Sequence, residues 1–306
     1  MKNLSSLHYN GISTYLKNLF GCRIIKLSID GGFTCPNRDG KCGTGGCFYC
    51  SEDGSGDFAG KGSIKDALST EIELYRNKWP KAKYIAYFQS HTNTYAPVRE
   101  LRSKYEEALS FENVIGLAIA TRPDCLEDDV LDLLSELNKK TFLWIELGLQ
   151  TANDTTAANF NRGYKTEVFK EACQKLRARG IAFVVHLILG LPGETKEDML
   201  SSAKLVALEK PFGIKLHMLH VMKNTEYERQ KVHLKKMLSL TEYVSIVCDI
   251  LEHMPEEITI HRLTGDAPQK MLLAPDWTRN KHTVLNEIQK EFKKRGTYQG
   301  INKEWQ

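Results

Sequence analysis

A short cysteine-rich loop carries the residues most suited to chemistry. Four of the chain's eight cysteines lie between Cys35 and Cys50, in the stretch CPNRDGKCGTGGCFYC. Cys35 and Cys47 are separated by eleven residues and Cys47 and Cys50 by two, with Cys42 inside the longer gap. In a reducing compartment such a cluster indicates metal binding or redox chemistry rather than structural disulfides.

Three kinds of site fit these spacings. A structural zinc site needs four closed ligands and usually comes from two Cys-x-x-Cys pairs, whereas this loop has one. A redox disulfide between Cys47 and Cys50 would normally open a helix after a strand, without a third cysteine nearby. An iron–sulfur cluster held by three thiolates would keep one iron open for a ligand that is not part of the protein.

Six apolar, β-branched runs recur along the chain, and helix-like patterns follow them. The runs are IIKLSID, YIAYFQS, VIGLAIAT, FLWIELGLQ, AFVVHLILGLP and IKLHMLHVM. Continuous apolar strands that alternate with amphipathic helices indicate an α/β fold with a parallel sheet. Six units are fewer than the eight of a closed barrel, so the sheet is either a partial barrel or open and doubly wound. Both architectures place functional residues at the carboxyl ends of the strands, where the cysteine loop follows the first run.

The pattern changes after Val221 to a basic segment, a helix, the short strand ITIHRLTG and a last helix. We therefore predict a core over residues 1–224 and a C-terminal α+β appendage over residues 225–306, placed against the edge of the sheet.

The composition is ordinary for a globular protein, with 42% hydrophobic and 26% charged residues. The first residues lack the apolar core of a signal peptide, and the longest apolar run is too short to span a bilayer. We predict a cytoplasmic protein without a membrane partner. The net charge is +4, but residues 210–236 hold seven Lys or Arg against two Glu. Such a segment is either a solvated face or a patch for nucleic-acid phosphates.

The cysteine loop, placed after the first strand of a six-fold βα repeat, resembles the radical S-adenosylmethionine (SAM) superfamily. Tyr49, the aromatic residue before the last cysteine, matches that family too. The resemblance implies a partial (β/α)6 barrel and a [4Fe–4S] cluster held by Cys35, Cys47 and Cys50, with Cys42 not a ligand. It also implies that SAM chelates the open iron and that one electron cleaves it to a 5′-deoxyadenosyl radical.

The long first gap between cysteines resembles one branch of this superfamily, which includes the Elongator catalytic subunit and the bacterial YhcC-type proteins. The segments GFTCPNRDG, GGCFYC, FQSHTNTY, IATRPDCL, IELGLQT, HLILGLPGET and RLTGDAP look like the YhcC-type group, and the likeness covers nearly the whole chain.

The resemblance also implies contacts to SAM. They come from Tyr49, Gln89, Glu146, Gln150, Arg162 and Gly190. Gln89 would bind the methionine amino group, although the family's usual Gly-Gly-Glu motif is absent. Glu146 would reach the ribose hydroxyls or the ammonium of SAM, with a structural ion pair as the alternative. Gln150 lies four residues on, on the same face of the strand.

Arg162 and, as a second candidate, Arg122 are predicted to bind the methionine carboxylate, because a guanidinium matches a carboxylate. The alternative for each is an arginine on the surface. Gly190 lies in a turn that resembles the family's adenine-contacting turn, although a simple βα turn would look the same. His217 and His220 are three residues apart in the sixth run, so we expect them on opposite faces of the strand.

The cofactor fixes the type of chemistry but not the substrate. The resemblance to the Elongator subunit, which acts on wobble uridines, favours modification of a tRNA base, with Tyr227, Tyr243 or Tyr298 as stacking residues. A small-molecule oxidoreductase of the oxygen-independent coproporphyrinogen oxidase type and a non-catalytic scaffold are the alternatives. An electron donor of the flavodoxin or ferredoxin type is a further expected partner.

Overall fold

The computed structural model describes residues 7–52, 54, 56–60 and 62–305. Seven parallel strands form one sheet in the order β1-β2-β3-β4-β5-β6-β8. Their bounds are β1 Ile24–Ile29, β2 Lys83–Phe88, β3 Val114–Thr121, β4 Phe142–Gln150, β5 Ala182–Leu189, β6 Gly213–Met218 and β8 Thr259–Arg262. The predicted α/β fold with a partial parallel barrel is confirmed, and the six apolar runs are its first six strands.

Ten helices flank the sheet. They are α1 Ile12–Phe20, α2 Ile64–Arg76, α3 Val98–Leu109, α4 Asp128–Asn138, α5 Asp154–Asn159, α6 Thr166–Ala178, α7 Lys196–Leu208, α8 Glu226–Arg229, α9 Leu240–His253 and α10 Lys281–Arg295, within the described residues. The apolar sides of α2, α3, α4, α6, α7, α9 and α10 join side chains of the strands in one hydrophobic core. Leu16 of α1 packs in a second cluster with Tyr87 and Trp144, and Ala157 of α5 and Tyr227 of α8 pack in a third cluster beside the cysteine loop.

Local sequence explains where several helices begin. The Ser63 side chain accepts a hydrogen bond from the backbone N–H of Asp66 and starts α2, as its position in the sequence predicts. Reciprocal capping pairs start two further helices, with Thr195 and Asp198 at α7 and Ser239 and Glu242 at α9. These caps fix the points at which the chain leaves the loops above the sheet.

The inner face of the half-barrel is divided into an apolar end and a polar end. At the amino ends of the strands, Phe142, Trp144 and Phe212 pack together with centroid distances of 5.7–6.2 Å. Toward the carboxyl ends the interior becomes polar, from Glu146 in β4 and Lys215 in β6 upward. The apolar packing fills the amino end of the half-barrel, and the polar groups lie toward the carboxyl end.

The C-terminal segment completes this sheet. Strand β8 pairs in parallel with β6, with Gly213 opposite Thr259, and helix α9 packs on both α10 and α7. A small antiparallel pair, β7 Val221–Met222 with β9 Leu272–Ala274, joins the two predicted units again. Strands from both sides of the predicted boundary at residue 224 therefore belong to one continuous sheet. A division of the chain into two domains there stays a prediction.

Within the described residues, no helix is both long and apolar enough to cross a membrane.

Candidate active site

One cavity of about 270 Å³ opens at the carboxyl ends of the strands. Nine of the ten residues that the sequence singles out as ligands or SAM contacts line it. They are Cys35, Cys47, Tyr49, Cys50, Gln89, Arg122, Glu146, Gln150 and Arg162. Residues up to 127 positions apart in the chain thus meet in one cavity.

Tight turns shape the cysteine loop. The Arg38 N–H donates to the carbonyl of Cys35 at 2.8 Å, and the Cys50 N–H donates to the carbonyl of Cys47 at 2.9 Å. The loop is attached to the segment after β4, since the Phe48 N–H donates to the Phe160 carbonyl at 3.0 Å. The Tyr49 and Phe160 rings also meet edge to face at 5.5 Å. These contacts hold the three cysteines at the rim of the cavity.

The surroundings of Cys47 disfavour a thiolate unless a cation lies next to it. Burial, together with the neighbouring thiols of Cys50 and Cys35, raises the pKa of the Cys47 thiol to about 12. Without a cation, the thiol therefore stays protonated at pH 7. A bound iron would offset both the cost of burying a thiolate and the repulsion from the neighbouring thiolates, because metal-coordinated thiols lose their protons.

The spacing of the three thiols is compatible with a cluster. Among the described residues, no three His, Cys, Asp or Glu side chains converge closely enough to hold one metal ion. A four-iron cluster presents a separate iron to each thiolate, so its ligands do not meet at one point. Cys42 is exposed and does not line the cavity.

Glu146 lies at the centre of a buried polar network. Its carboxylate accepts hydrogen bonds from Lys26 Nζ at 3.1 Å, Trp144 Nε1 at 3.0 Å and His186 Nε2 at 2.8 Å. It also accepts a short hydrogen bond from Lys215 Nζ. Despite the cost of burial, the two lysines and His186 hold the pKa of this carboxyl well below its ordinary value. The structure thus shows the ion pair that was the alternative, and direct contact of Glu146 with SAM stays a prediction.

The other residues of this network were missed by the sequence analysis. They are Lys26, Tyr87, His186, Lys215 and Arg262. Lys26, His186 and Lys215 carried the same signal as Glu146, a titratable residue inside an apolar strand run. The neighbouring lysine and burial lower the pKa of His186 to about 4, so its ring is neutral at pH 7.

Arg162 is buried, and the chain itself uses all five of its N–H groups. They donate to the carbonyls of Leu149, Thr151 and Tyr164 and to the side chains of Asp154 and Thr166. This arrangement orders the loop after β4 and leaves no donor for a methionine carboxylate. The predicted SAM contact of Arg162 would require one of these bonds to be exchanged.

Arg122 also lines the cavity. It forms a two-bond pair with Asp124 at 2.9 and 2.6 Å and donates from Nη1 to the Arg162 carbonyl at 2.8 Å. One N–H of each Nη atom remains for a ligand, so Arg122 fits a carboxylate better than Arg162 does.

Gln89 and Gln150 lie at the carboxyl ends of β2 and β4 and face the cavity. Gln150 has a φ of 63°, and the pairing register between β4 and β5 shifts between Gly148 and Gln150. The strand bends there and still turns Gln150 to the same side as Glu146, as predicted.

The expectation that His217 and His220 lie on opposite faces is wrong. Strand β6 ends at Met218, so period-two alternation does not extend to His220, and both rings line the cavity. Burial lowers the pKa of both rings, that of His220 to about 4.

Gly190 is the one predicted contact that does not line the cavity. Its φ is 84°, and a Cβ at this position would lie 3.0 Å from Leu238 Cδ1. Glycine is required here for a left-handed turn and for the close approach of Leu238. The structure therefore favours the simple βα turn, and the Leu238 side chain fills the space beside Gly190.

Comparison with known proteins agrees with this architecture. The model of the Radical SAM superfamily matches residues 38–206, and that of the Radical_SAM C-terminal domain matches residues 211–294. The chain is 47% identical over 300 residues to the uncharacterized protein YtqA of Bacillus subtilis, covering 95% of this chain and 92% of that one. It is 37% identical over 287 residues to YhcC of Escherichia coli, covering 92% and 91%.

A solved structure shares the fold. The archaeal Elp3 of Methanocaldococcus infernus superposes with a TM-score of 0.69 at 18% identity, over 90% of this chain and 64% of that chain.

A shorter stretch of 90 residues is 30% identical to a tRNA-2-methylthio-N(6)-dimethylallyladenosine synthase of Fusobacterium nucleatum, covering 29% and 20% of the two chains.

A parallel half-barrel with a three-cysteine loop above its first strand defines a radical SAM enzyme. The chain belongs to the Radical SAM superfamily, in the branch of the YhcC-type proteins. Members of this superfamily use a [4Fe–4S] cluster and SAM, and the bound cluster supplies the electron for reductive cleavage of SAM. The thiols of Cys35, Cys47 and Cys50 fit the cluster, and the cavity beside them fits SAM.

Proposed function

We propose that Cys35, Cys47 and Cys50 hold the cluster of this enzyme and that the enzyme modifies a base of tRNA. The observation that carries the proposal is the place of the basic segment 223–236. This segment lies directly on the cysteine loop, since the Tyr227 N–H donates to the Phe48 carbonyl at 3.0 Å.

The outer face of this segment is positively charged. Its exposed charged residues include Lys223, Arg229, Lys231, Lys235 and Lys236, against the carboxylates of Glu226 and Glu228. Phosphate binding needs spread positive charge next to the place where the base enters. A basic surface over the rim of the cavity meets that requirement, although the net charge of the whole chain is small.

The stacking residues expected from the sequence need correction. Tyr227 and Tyr243 are 3% and 0% exposed, so neither ring can stack on a base, whereas Tyr298 is 37% exposed. Tyr227 instead packs edge to face on Phe48 at 6.3 Å and supports the cysteine loop. Binding of RNA would therefore rest on charge more than on aromatic stacking.

The likeness to the Elongator branch and to a tRNA-modifying synthase supports the same substrate class. The synthase match covers 29% of this chain and 20% of that one, so the likeness to the Elongator branch carries more of this support. The cytoplasm would supply both tRNA and a flavodoxin-type or ferredoxin-type electron donor.

The first test compares the modified nucleosides of tRNA from cells with and without the gene. Loss of one nucleoside, restored by the wild-type gene and not by Cys47→Ala, is the expected result. Unchanged nucleosides, together with 5′-deoxyadenosine formation that tRNA does not stimulate, would overturn the proposal and favour a small-molecule substrate.

The second test addresses the basic segment. Replacing Lys231, Lys235 and Lys236 with Glu should weaken tRNA binding at least tenfold at low salt and reduce its dependence on salt. The matched control replaces three exposed lysines at the opposite end of the sheet, Lys78, Lys81 and Lys83. Equal effects of the two triple variants would show that the basic segment is not the RNA surface.

A further inference from the structure

The floor of the cavity is a polar layer that crosses the sheet from β1 to β8. Lys26, Tyr87, Glu146, His186, Lys215 and Arg262 form it. His186 and Lys215 are register partners on β5 and β6, and Lys215 and Arg262 are partners on β6 and β8. All of these except Lys26 line the cavity.

The cationic side chains of the floor outnumber the anionic ones. Lys26, Lys215 and Arg262 face the carboxylates of Glu146 and of Asp266, which lies 3.5 Å from Arg262. His186 adds no charge, because burial keeps its ring neutral. Lys215 is buried, with a side chain 2% exposed, whereas Lys26 and Arg262 are 28% and 34% exposed. An anion beside these cations would accept charge-assisted hydrogen bonds.

Donors on the same floor remain available. The Lys215 ammonium has three N–H groups and directs two of them to Tyr87 Oη, at 3.1 Å, and to Glu146. The buried Nε2 atoms of His217 and His220 have no hydrogen-bond partner in the described part of the chain. Glu146 accepts four donors, so its lone pairs are largely used within the network.

We propose that this floor is a binding subsite for an anionic oxygen group of the substrate, a carboxylate or a phosphate. Lys215 makes the main contact, Arg262 and the ring nitrogen of His217 complete it, and Glu146 is a positioning residue that fixes the Lys215 ammonium.

The subsite lies apart from the cysteine loop. The cysteines lie on a loop beyond the end of β1, whereas Lys215 lies within β6 and Glu146 within β4. SAM would reach the open iron with its methionine end, next to that loop, and we assign the floor to the substrate rather than to SAM. The inference rests on membership of the superfamily and does not depend on tRNA being the substrate.

The test uses the reconstituted holoenzyme, saturated with SAM and kept anaerobic. Succinate and inorganic phosphate are titrated in separate arms while the melting temperature is followed, with sodium chloride at equal ionic strength as the control. We expect a saturable rise in melting temperature in one arm. The apparent affinity should fall at least tenfold in Lys215→Met and stay within threefold of wild type in Lys215→Arg.

Three results would overturn the proposal. They are a response no larger than that to chloride in both arms, a Lys215→Met variant that binds as wild type does, and competition of the anion with SAM. The last result would assign the floor to the carboxylate of SAM itself.

Arg262→Gln keeps the test decisive if Lys215→Met does not fold, because Arg262 is at the cavity wall and 34% exposed. This variant should weaken the anion several-fold without changing the affinity for SAM. An unchanged affinity for the anion would contradict the subsite, and Lys78→Met, far from the cavity, is the matched surface control.

Discussion

The ammonium of Lys215 and the carboxylate of Glu146 form an ion pair inside the half-barrel, with side chains 2% and 0% exposed. The pair joins β6 to β4 across the intervening strand β5, and Lys26 of β1 completes it from the other side at 3.1 Å. Each charge depends on the others, because water cannot replace a missing partner at this depth.

Removal of one partner should therefore destabilise the fold strongly. Glu146→Gln leaves two lysine ammoniums without a carboxylate, and we expect a loss of about 3–5 kcal/mol in the free energy of unfolding. The double variant Glu146→Gln with Lys215→Met should be less destabilised than the sum of the single variants, by at least about 1 kcal/mol. Chemical denaturation of the four proteins measures this coupling. Additive losses would show that the two side chains do not depend on each other.

The parallel sheet could be predicted from the sequence because a strand buried on both faces leaves a local signature, a continuous apolar run. The start of α2 could also be predicted from the sequence, because its first turn is fixed by Ser63 and Asp66, three residues apart. Such features depend on neighbours in the chain. The seventh strand, β8, was visible as a short strand, but its pairing with β6 depends on tertiary packing.

The network around Glu146 could be predicted only in part. A lone carboxylate in an apolar strand shows that a partner exists, but Lys26 and Lys215 lie 120 and 69 positions away. Which of several interior polar residues meet is decided by strand order and register. Lys215 was counted in the basic run of the sequence, whereas the fold buries it and leaves the lysines after residue 222 outside.

Gly190 offers a test of a turn that the sequence assigned to adenine binding. Gly190 and Gly193 have similar φ angles of 84° and 88°. A Cβ at Gly193 would meet nothing within 4 Å, whereas one at Gly190 would meet Leu238 at 3.0 Å. Both alanine variants carry the left-handed strain of about 1–2 kcal/mol. Because Gly190→Ala adds the close contact with Leu238, it should have the lower melting temperature of the two.

Leu238→Ala in the Gly190→Ala background should recover part of that loss. The affinity for SAM, measured by equilibrium dialysis, should stay within twofold of wild type in Gly190→Ala. A large fall in affinity at unchanged stability would support the adenine-contacting role that the sequence predicts for Gly190.

Glu194, in the turn after β5, should make stability depend on pH. Partial burial raises the pKa of its carboxyl to about 7, although the Thr151 hydroxyl donates to it. A raised pKa in the folded state means that wild type loses stability as the pH rises from about 4.5 through 7 and then levels off. Glu194→Gln removes this loss and keeps an acceptor for Thr151.

The melting temperature of Glu194→Gln relative to wild type should therefore rise between pH 5.5 and 8. Because the side chain is partly exposed, we expect a gain of about 1 kcal/mol, or roughly 2–4 °C. Glu287→Gln, at a half-exposed ion pair with Lys290, is the matched control. A difference from wild type that is constant across this range would contradict the raised pKa of Glu194.

The four cysteines of the loop should divide into three that hold iron and one that does not. Cys35, Cys47 and Cys50 line the cavity and Cys42 is exposed on the outer side of the same loop. Replacing any of the three with Ala removes one corner of the cluster, so bound iron and 5′-deoxyadenosine from SAM should fall at least tenfold after anaerobic reconstitution. Cys42→Ala keeps the corners and should retain both, because the backbone N–H of Cys42, which donates to the Pro36 carbonyl at 2.8 Å, is unchanged in this variant. Loss of iron in Cys42→Ala would make it a fourth ligand, and such a cluster would have no open iron for SAM. Zinc in the purified wild-type protein, with no 5′-deoxyadenosine formed, would instead assign the loop a structural role.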